Sequence, residues 1–137
     1  MAILTSKNCK SIVMNEFRDQ IVTAIQTIKI QRQWKPGSAA RHLLKRKLRG
    51  HLPAEATIED YEHIIQAVLG APDATVYIYR HNDIPYVAII ATVQDHFWLV
   101  MFTLDGLMES AFVVERPDYY LNKPPFERIG LLNEVLR

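Results

Sequence analysis

The sequence predicts an α+β domain: N-terminal helices packed on a four-stranded antiparallel meander sheet, with a short C-terminal helix. Three observations carry this expectation. Apolar residues recur at spacings of three and four through the first half of the chain, the period of helices with one buried face. From residue 75 the pattern changes to short runs rich in β-branched and aromatic residues, which suit pleated strands. Those runs are separated by "ND", "QDH" and "DG", lengths that join hairpins and leave no room for crossover helices.

The first helix is expected over residues 10–32, where Val13, Phe17, Ile21, Ala24, Ile25 and Ile28 form one apolar stripe. Pro36 and Gly37 end it, and Ser38 can cap the next helix. This second helix runs from Ala39 to about Leu48, with Ala40, Leu43, Leu44 and Leu48 as its apolar side. Gly50 stands near its C-cap, with Pro53 beyond. Thr57 and Asp60 resemble a capping box at the head of a third helix. Ile58, Tyr61, Ile64, Ile65, Val68 and Leu69 follow its inner face, and Gly70 and Pro72 end it.

Four strands come next: "TVYIYRH", "PYVAIIATV", "FWLVMFT" and "LMESAFVV". The third is apolar on both faces, so it is expected to lie centrally or under helices. Asp105-Gly106 is read as a two-residue turn. The prolines at 117, 124 and 125 predict irregular chain after the sheet, before a terminal helix over Leu131–Leu136.

At 137 residues the chain is read as one domain, with a basic helical part over 1–56 and a helix, sheet and tail over 57–137. Its one cysteine, Cys9, cannot form an intrachain disulfide, which predicts a reducing compartment. The N-terminus "MAILTSKNCK" has too short an apolar run for a signal peptide, and no apolar run is long enough to span a bilayer. A cytoplasmic protein without membrane contact is the expectation.

The net charge of +1 conceals a strong asymmetry. Residues 20–54 hold eight Lys and Arg and no acid, whereas residues 55–137 hold thirteen acids and five bases. The stretch "ARHLLKRKLRGHLP" alone carries five Lys and Arg and two His. Such a distribution points to a polyanion, an acidic protein or a neighbouring subunit as partner. Mutual neutralisation of the two halves across the fold is the alternative.

On a helix, Arg41, Lys45 and Arg49 fall at i, i+4 and i+8 and form one stripe, with His42 and Arg46 in a second stripe beside it. Like charges at this spacing repel, and a phosphate backbone along the stripe would turn repulsion into attraction. Arg41, Lys45 and Arg46 are therefore candidate phosphate ligands. His51 lies just beyond them, where neighbouring cations would keep it neutral and able to accept a proton. His63, beside Glu59 and Glu62, reads as solvated surface. A turn at Asn82-Asp83 would set Tyr79 opposite Tyr86 on one face. With His81 at the strand end, these are candidates for stacking on nucleic-acid bases, and sheet cover is the competing reading. Ser110 interrupts an apolar strand, and its hydroxyl would hydrogen-bond a phosphate or a neighbouring side chain. The sequence contains no Cys cluster, no HxxxH, no P-loop and no glycine-rich dinucleotide turn. Cys9 has no identifiable base. Neither a metal nor a cofactor is called for, and acid–base chemistry by His, Arg, Lys, Ser and Tyr is what remains.

The run "HLPAEATIEDYEHIIQAVLGAPD", followed by "WLVMFTLDGLMESAFVV" and "DYYL", resembles the barnase–EndoU–colicin–RelE-like nucleases, especially phage- and toxin-associated members. The resemblance spans roughly residues 41–121. It lies in a basic, histidine-bearing entry, a helix ending in a Pro-Asp turn, and a last strand reading small-Ala-aromatic. It implies N-terminal helices followed by a four-stranded sheet. It also implies metal-independent RNA cleavage, in which a base deprotonates the ribose 2′-hydroxyl for attack on the adjacent phosphorus. By this resemblance His51 is the base, Arg49 holds the phosphate and Ser110 orients it. Members often carry Thr where Ser110 stands, and no strand arginine beyond Arg80 matches. A toxin of this kind would have RNA as substrate and an acidic, antitoxin-like neutralising protein as partner. The alternatives are a non-catalytic protein- or nucleic-acid-binding module of the same architecture, and an oligomerising structural domain whose first helix and apolar sheet form a homodimer.

Overall fold

The computed structural model describes residues 6–137, with side chains from Glu16 onward; the expectations for "MAILT", Cys9 and Val13 lie outside the described residues and side chains. Three helices come first: α1 (Ser6–Ile30), α2 (Ser38–Leu48) and α3 (Ile58–Gly70). Strands β1 (Thr75–His81), β2 (Ile84–Val93), β3 (His96–Thr103) and β4 (Met108–Val113) come after them, then α4 (Pro117–Leu121), β5 (Phe126–Leu131) and α5 (Leu132–Val135).

The sheet has five strands, not four, in the order β4-β3-β2-β1-β5. The first four form the expected meander. The fifth comes from the tail expected to be irregular, and pairs antiparallel with β1, Tyr79 opposite Phe126 and Thr75 opposite Leu131. Its signal was hidden because Pro124 and Pro125 immediately precede it. Prolines are excluded from central strands but tolerated at the start of an edge strand. Pro117, read as a breaker, opens α4 at a first-turn position, where its missing N–H costs nothing.

The two sheet faces are covered differently. Val76, Ile78, Val87, Ile89, Trp98, Val100, Phe102 and Ala111 pack in one core with Ile21, Ile25 and Ile28 of α1 and Tyr61, Ile65, Val68 and Leu69 of α3. On the other face Ala88, Ile90, Leu99 and Met101 pack with Val114 and Leu121, and with half-buried Tyr77, Tyr79, Tyr86, Phe112, Tyr120 and Phe126. This double cover explains why β3 is apolar on both sides, since residues 98–102 are all buried.

Turn chemistry matches the sequence at the first hairpin, whereas at the second His96 belongs to β3, so the "QDH" connection shortens to Gln94-Asp95. Asn82 and Asp83 (φ 51° and 64°) and Gln94 and Asp95 (φ 52° and 67°) are paired left-handed residues, the conformation that matches strand twist in two-residue hairpins. Tyr79 stands opposite Tyr86 as expected. The Asp105-Gly106 turn is longer than two residues, since β3 ends at Thr103 and β4 begins at Met108. Gly106 takes φ 84°, its N–H donates to the Thr103 carbonyl at 3.0 Å, and it lies against α1. The capping box of α3 is complete: Asp60 N–H donates to Thr57 Oγ1 at 3.1 Å, and Thr57 N–H to Asp60 Oδ2 at 2.8 Å.

Helix α2 departs from its expected orientation. Leu43 is buried, but Leu44 is 58% and Leu48 78% exposed, and Ala40 is exposed as well. Ser38 and Arg46 are buried instead. Ser38 does not cap the helix; Gly37 occupies that position in a left-handed conformation without a side-chain bond. The helix packs on α3 and edge strand β4 rather than on a broad sheet face, so its inner surface needs only one leucine.

A Cβ placed on Gly106 would stand 2.7 Å from Thr27 Cγ2, whereas one on Gly50 (φ 73°) would meet nothing within 4 Å. Gly106→Ala is therefore expected to lower unfolding stability by about 2–5 kcal/mol, through strain plus a clash, and Gly50→Ala by about 1–2 kcal/mol through strain alone. Urea titration checks this; equal losses would contradict the close approach of the hairpin to α1.

Candidate functional site: a basic cleft between α2 and β4

The connector between α1 and α2 sets where α2 lies. Met108 N–H donates to the Gln33 carbonyl at 2.9 Å, tying the connector to the start of β4. Trp34 Nε1 donates to Glu62 Oε1 at 2.8 Å. Arg32 pairs with the same carboxylate and donates to Gln66 Oε1 at 2.6 Å. Strapped to α3 and β4, the connector delivers α2 along the open edge of the sheet. The Trp34 ring then lies 5.7 Å from His42 and 5.9 Å from Tyr61, centroid to centroid.

The C-terminus of α2 is equally determined. Gly50 N–H donates to the Lys47 carbonyl at 3.0 Å and His51 N–H to the Arg46 carbonyl at 2.8 Å. This is a Schellman closure, and it needs a left-handed residue where Gly50 stands. The chain reversal brings His51 back beside Arg46. His51 and Tyr61 then serve the outer edge of β4. Tyr61 donates its hydroxyl to the Ala111 carbonyl at 2.6 Å, and Val113 N–H donates to His51 Nδ1 at 3.4 Å. Burial pushes the Tyr61 phenol well above its ordinary range, so it is a donor at every physiological pH.

Arg46 lies at the centre of this arrangement, 3% exposed. Its Nη1 donates to His51 Nδ1 at 3.3 Å, and its guanidinium lies 5.7 Å from the Phe112 ring centroid. Its Nε is buried with no hydrogen-bond partner. Among the described residues the ion pairs are Arg32–Glu62 and Arg80–Glu127. Arg41, Lys45, Arg46, Lys47 and Arg49 take part in none. The acidic half therefore neutralises Arg32 but leaves the α2 cations without carboxylate partners. Burial pushes Arg46 below its ordinary value, with Arg49 adding to the shift. A guanidinium nevertheless stays protonated in proteins, so a positive charge sits buried without a counterion.

Beside it opens a cleft of about 540 Å³. His42, Lys45, Arg46 and Arg49 of α2 form one wall, Ser110 and Phe112 of β4 the floor, and Glu115, Arg116, Tyr119 and Tyr120 the other wall. Four cations face one carboxylate. A larger cavity of about 750 Å³ on the second sheet face is lined by Asp73, Asp118, Lys123 and Arg128 among others. Its charges are balanced and no histidine lines it, so the smaller cleft is the stronger candidate. Among the described residues no group of three or more His, Cys, Asp or Glu is placed to hold a metal ion.

Of the residues singled out in the sequence, Lys45, Arg46, Arg49 and Ser110 line this cleft. Arg46 enters it from the interior rather than from an exposed stripe. Arg41 is exposed and is not part of the lining. His51 stands behind Arg46, outside the lining. Because Nδ1 accepts from both Arg46 and Val113, the neutral ring carries its proton on Nε2. Ser110 Oγ lies 3.3 Å from His42 Nδ1, a partner the sequence placed on the second stripe without a role. Tyr79 and Tyr86 are half-buried, and Tyr79 packs 4.8 Å from Phe126. With exposed His81 they lie at the β1–β2 hairpin; Tyr79 and Tyr86 share the sheet face of Phe112 and Tyr120, but none of the three lines the cleft. Sequence reasoning gave His42 no role and missed Phe112, Arg116 and Tyr119. Phe112 alternates with Ala111 on β4, which was the one signal that it shares a face with Ser110.

Both histidines near the cleft sit below the ordinary imidazole value. For His42 the causes are burial, then Lys45 and Arg46, opposed by Glu109. For His51 they are burial, then Arg46 and Arg49, opposed by Glu115. With the folded values lower than the unfolded value near 6.5, the unfolded chain binds more protons between the two. Stability is thus complete above about pH 6.5 and declines as pH falls through that value toward the folded ones. Urea titrations across pH 7 to 5 should show this decline, and His42→Asn with His51→Asn should flatten it. An unchanged slope in the double variant would contradict the assignment.

No known protein family, curated protein or solved structure matches the chain, so the chemical reading rests on the cleft itself.

Proposed function

We propose that the α2–β4 cleft binds a phosphodiester of RNA and cleaves it by metal-independent acid–base chemistry. The single observation that carries the reading is the buried Arg46 guanidinium, held without a carboxylate in the α2 wall of a cleft it shares with Lys45, Arg49 and Arg116. Leaving a charge buried and unpaired costs several kcal/mol, which an incoming anion would recover. Ser110 and a neutral histidine at the same place add what phosphoryl chemistry requires beyond binding. The sequence resemblance to the barnase–EndoU–colicin–RelE-like nucleases points the same way.

In this reading the phosphate sits against Arg46, Arg49 and Lys45, which stabilise the extra negative charge of the pentacoordinate phosphorus. His42 is assigned as base in preference to His51, whose Nδ1 is already committed to Arg46 and Val113. When His42 Nδ1–H donates to Ser110, Nε2 carries the lone pair and takes the proton of the 2′-hydroxyl. The 2′ oxygen bonds to phosphorus and the bond to the 5′ oxygen breaks. That oxygen is protonated from water, leaving a 2′,3′-cyclic phosphate and a 5′-hydroxyl. His51 positions Arg46, and Ser110 positions His42. An acidic protein covering the cleft would neutralise such an enzyme through the same cations.

Incubation with total RNA in the presence of EDTA tests the reading. Wild type should leave 2′,3′-cyclic phosphate ends, and His42→Ala should cut the rate by about 10²–10⁴-fold. RNA bound in a salt-dependent manner but left intact would favour the non-catalytic binding module. Arg46→Met separates function from folding: removing an uncompensated buried cation should leave urea stability unchanged or raise it by about 1–4 kcal/mol, while RNA binding is lost. A variant that still binds RNA normally would remove the phosphate reading.

A further inference from the structure

Tyr119 is the one large exposed aromatic in the cleft wall, 62% accessible. Its neighbours explain why it is turned outward. Leu121 is buried on the second sheet face. Tyr120 is half-buried, its ring centroid 6.2 Å from Phe112 and 5.3 Å from Phe126. These two anchor α4, and the residue before them then projects over the cleft mouth. Two cations already attend the Tyr119 ring: Lys123 Nζ lies 4.5 Å and the Arg116 guanidinium 5.3 Å from its centroid. Among the described residues neither cation is in an ion pair.

Resting on the phosphate-binding reading of this cleft, we infer that Tyr119 is a base-stacking platform and that the cleft takes single-stranded RNA. A phosphate held against Arg46 and Arg49 leaves its attached nucleoside to lie across the opposite wall. There an aromatic ring offers a sequence-tolerant surface, because every base has a π-face. Arg116 and Lys123 can leave the ring to meet the flanking phosphates. Duplex RNA cannot use such a platform, since its base faces are already stacked within the helix. Inorganic polyphosphate has no base at all. Tyr79 and Tyr86, by contrast, are packed with Phe126 and present no comparable open ring.

The test compares three probes by competition at one salt concentration: a single-stranded oligoribonucleotide, its duplex, and inorganic polyphosphate. The single strand carries 2′-O-methyl groups so that it cannot be cleaved by internal attack. Wild type should bind the single strand more tightly than the duplex. Tyr119→Ala should lower affinity for the single strand at least about fivefold more than affinity for polyphosphate, and Tyr119→Phe should keep the wild-type ratio. Because Tyr119 is exposed, folding is not at stake, and an unchanged urea midpoint verifies this. A ratio unaltered in Tyr119→Ala, or duplex bound as tightly as single strand, would overturn the stacking site while sparing the phosphate reading. Wild-type protein that binds neither polyanion would overturn the phosphate reading and this inference together.

Discussion

Arg46 is buried between α2 and the edge of β4 without a carboxylate, and the surrounding structure depends on how that charge is tolerated. Three contacts soften its desolvation: the Schellman return that brings in His51 Nδ1, the face of Phe112, and the open side of the cleft. A cation over an aromatic face contributes about 0.5–2 kcal/mol, and a hydrogen bond from a charged donor about 1.5–3 kcal/mol. Neither replaces a counterion. The folded chain thus carries a local electrostatic deficit that helix packing must offset, and it places that deficit at a solvent-reachable cleft rather than in the main core.

The rest of the architecture isolates this spot. α1 and α3 close one sheet face with aliphatic side chains, and α4 with the residues after it closes the other with aromatic ones. The edge of β4 lies outside both of these covers. Tyr61 and His51 meet its carbonyl and N–H groups with side chains, which blunts the edge against strand addition. His51 also accepts from Arg46. Edge protection and charge placement therefore share one residue, and a cleft at this position costs the fold little additional machinery.

The neutral histidines fit the same electrostatic picture. Each is surrounded by cations and partly desolvated, so protonating either one would add charge where charge is already in excess. A bound anion would reverse that sign. Under the proposed function, proton affinity in the cleft would thereby be coupled to its occupancy by a phosphodiester.

Local features were legible from the residues alone. Three helices, the Thr57–Asp60 capping box, the Gly50 closure, the left-handed Asn82-Asp83 hairpin and the change to strands at Thr75 are all written in short-range patterns, because period, capping and turn chemistry act over a few residues. The α2 cations and their lack of nearby acids were equally plain. Only tertiary structure decided which side of α2 turns inward, that Arg46 is buried while Leu44 and Leu48 face solvent, that Ser110 meets His42 rather than His51, and that Phe126–Leu131 joins the sheet as a fifth strand. These outcomes turn on contacts between residues far apart in the chain, such as Gln33 with Met108 and Tyr61 with Ala111. No local propensity encodes the angle at which one helix meets a sheet edge; the packing of the whole core sets it.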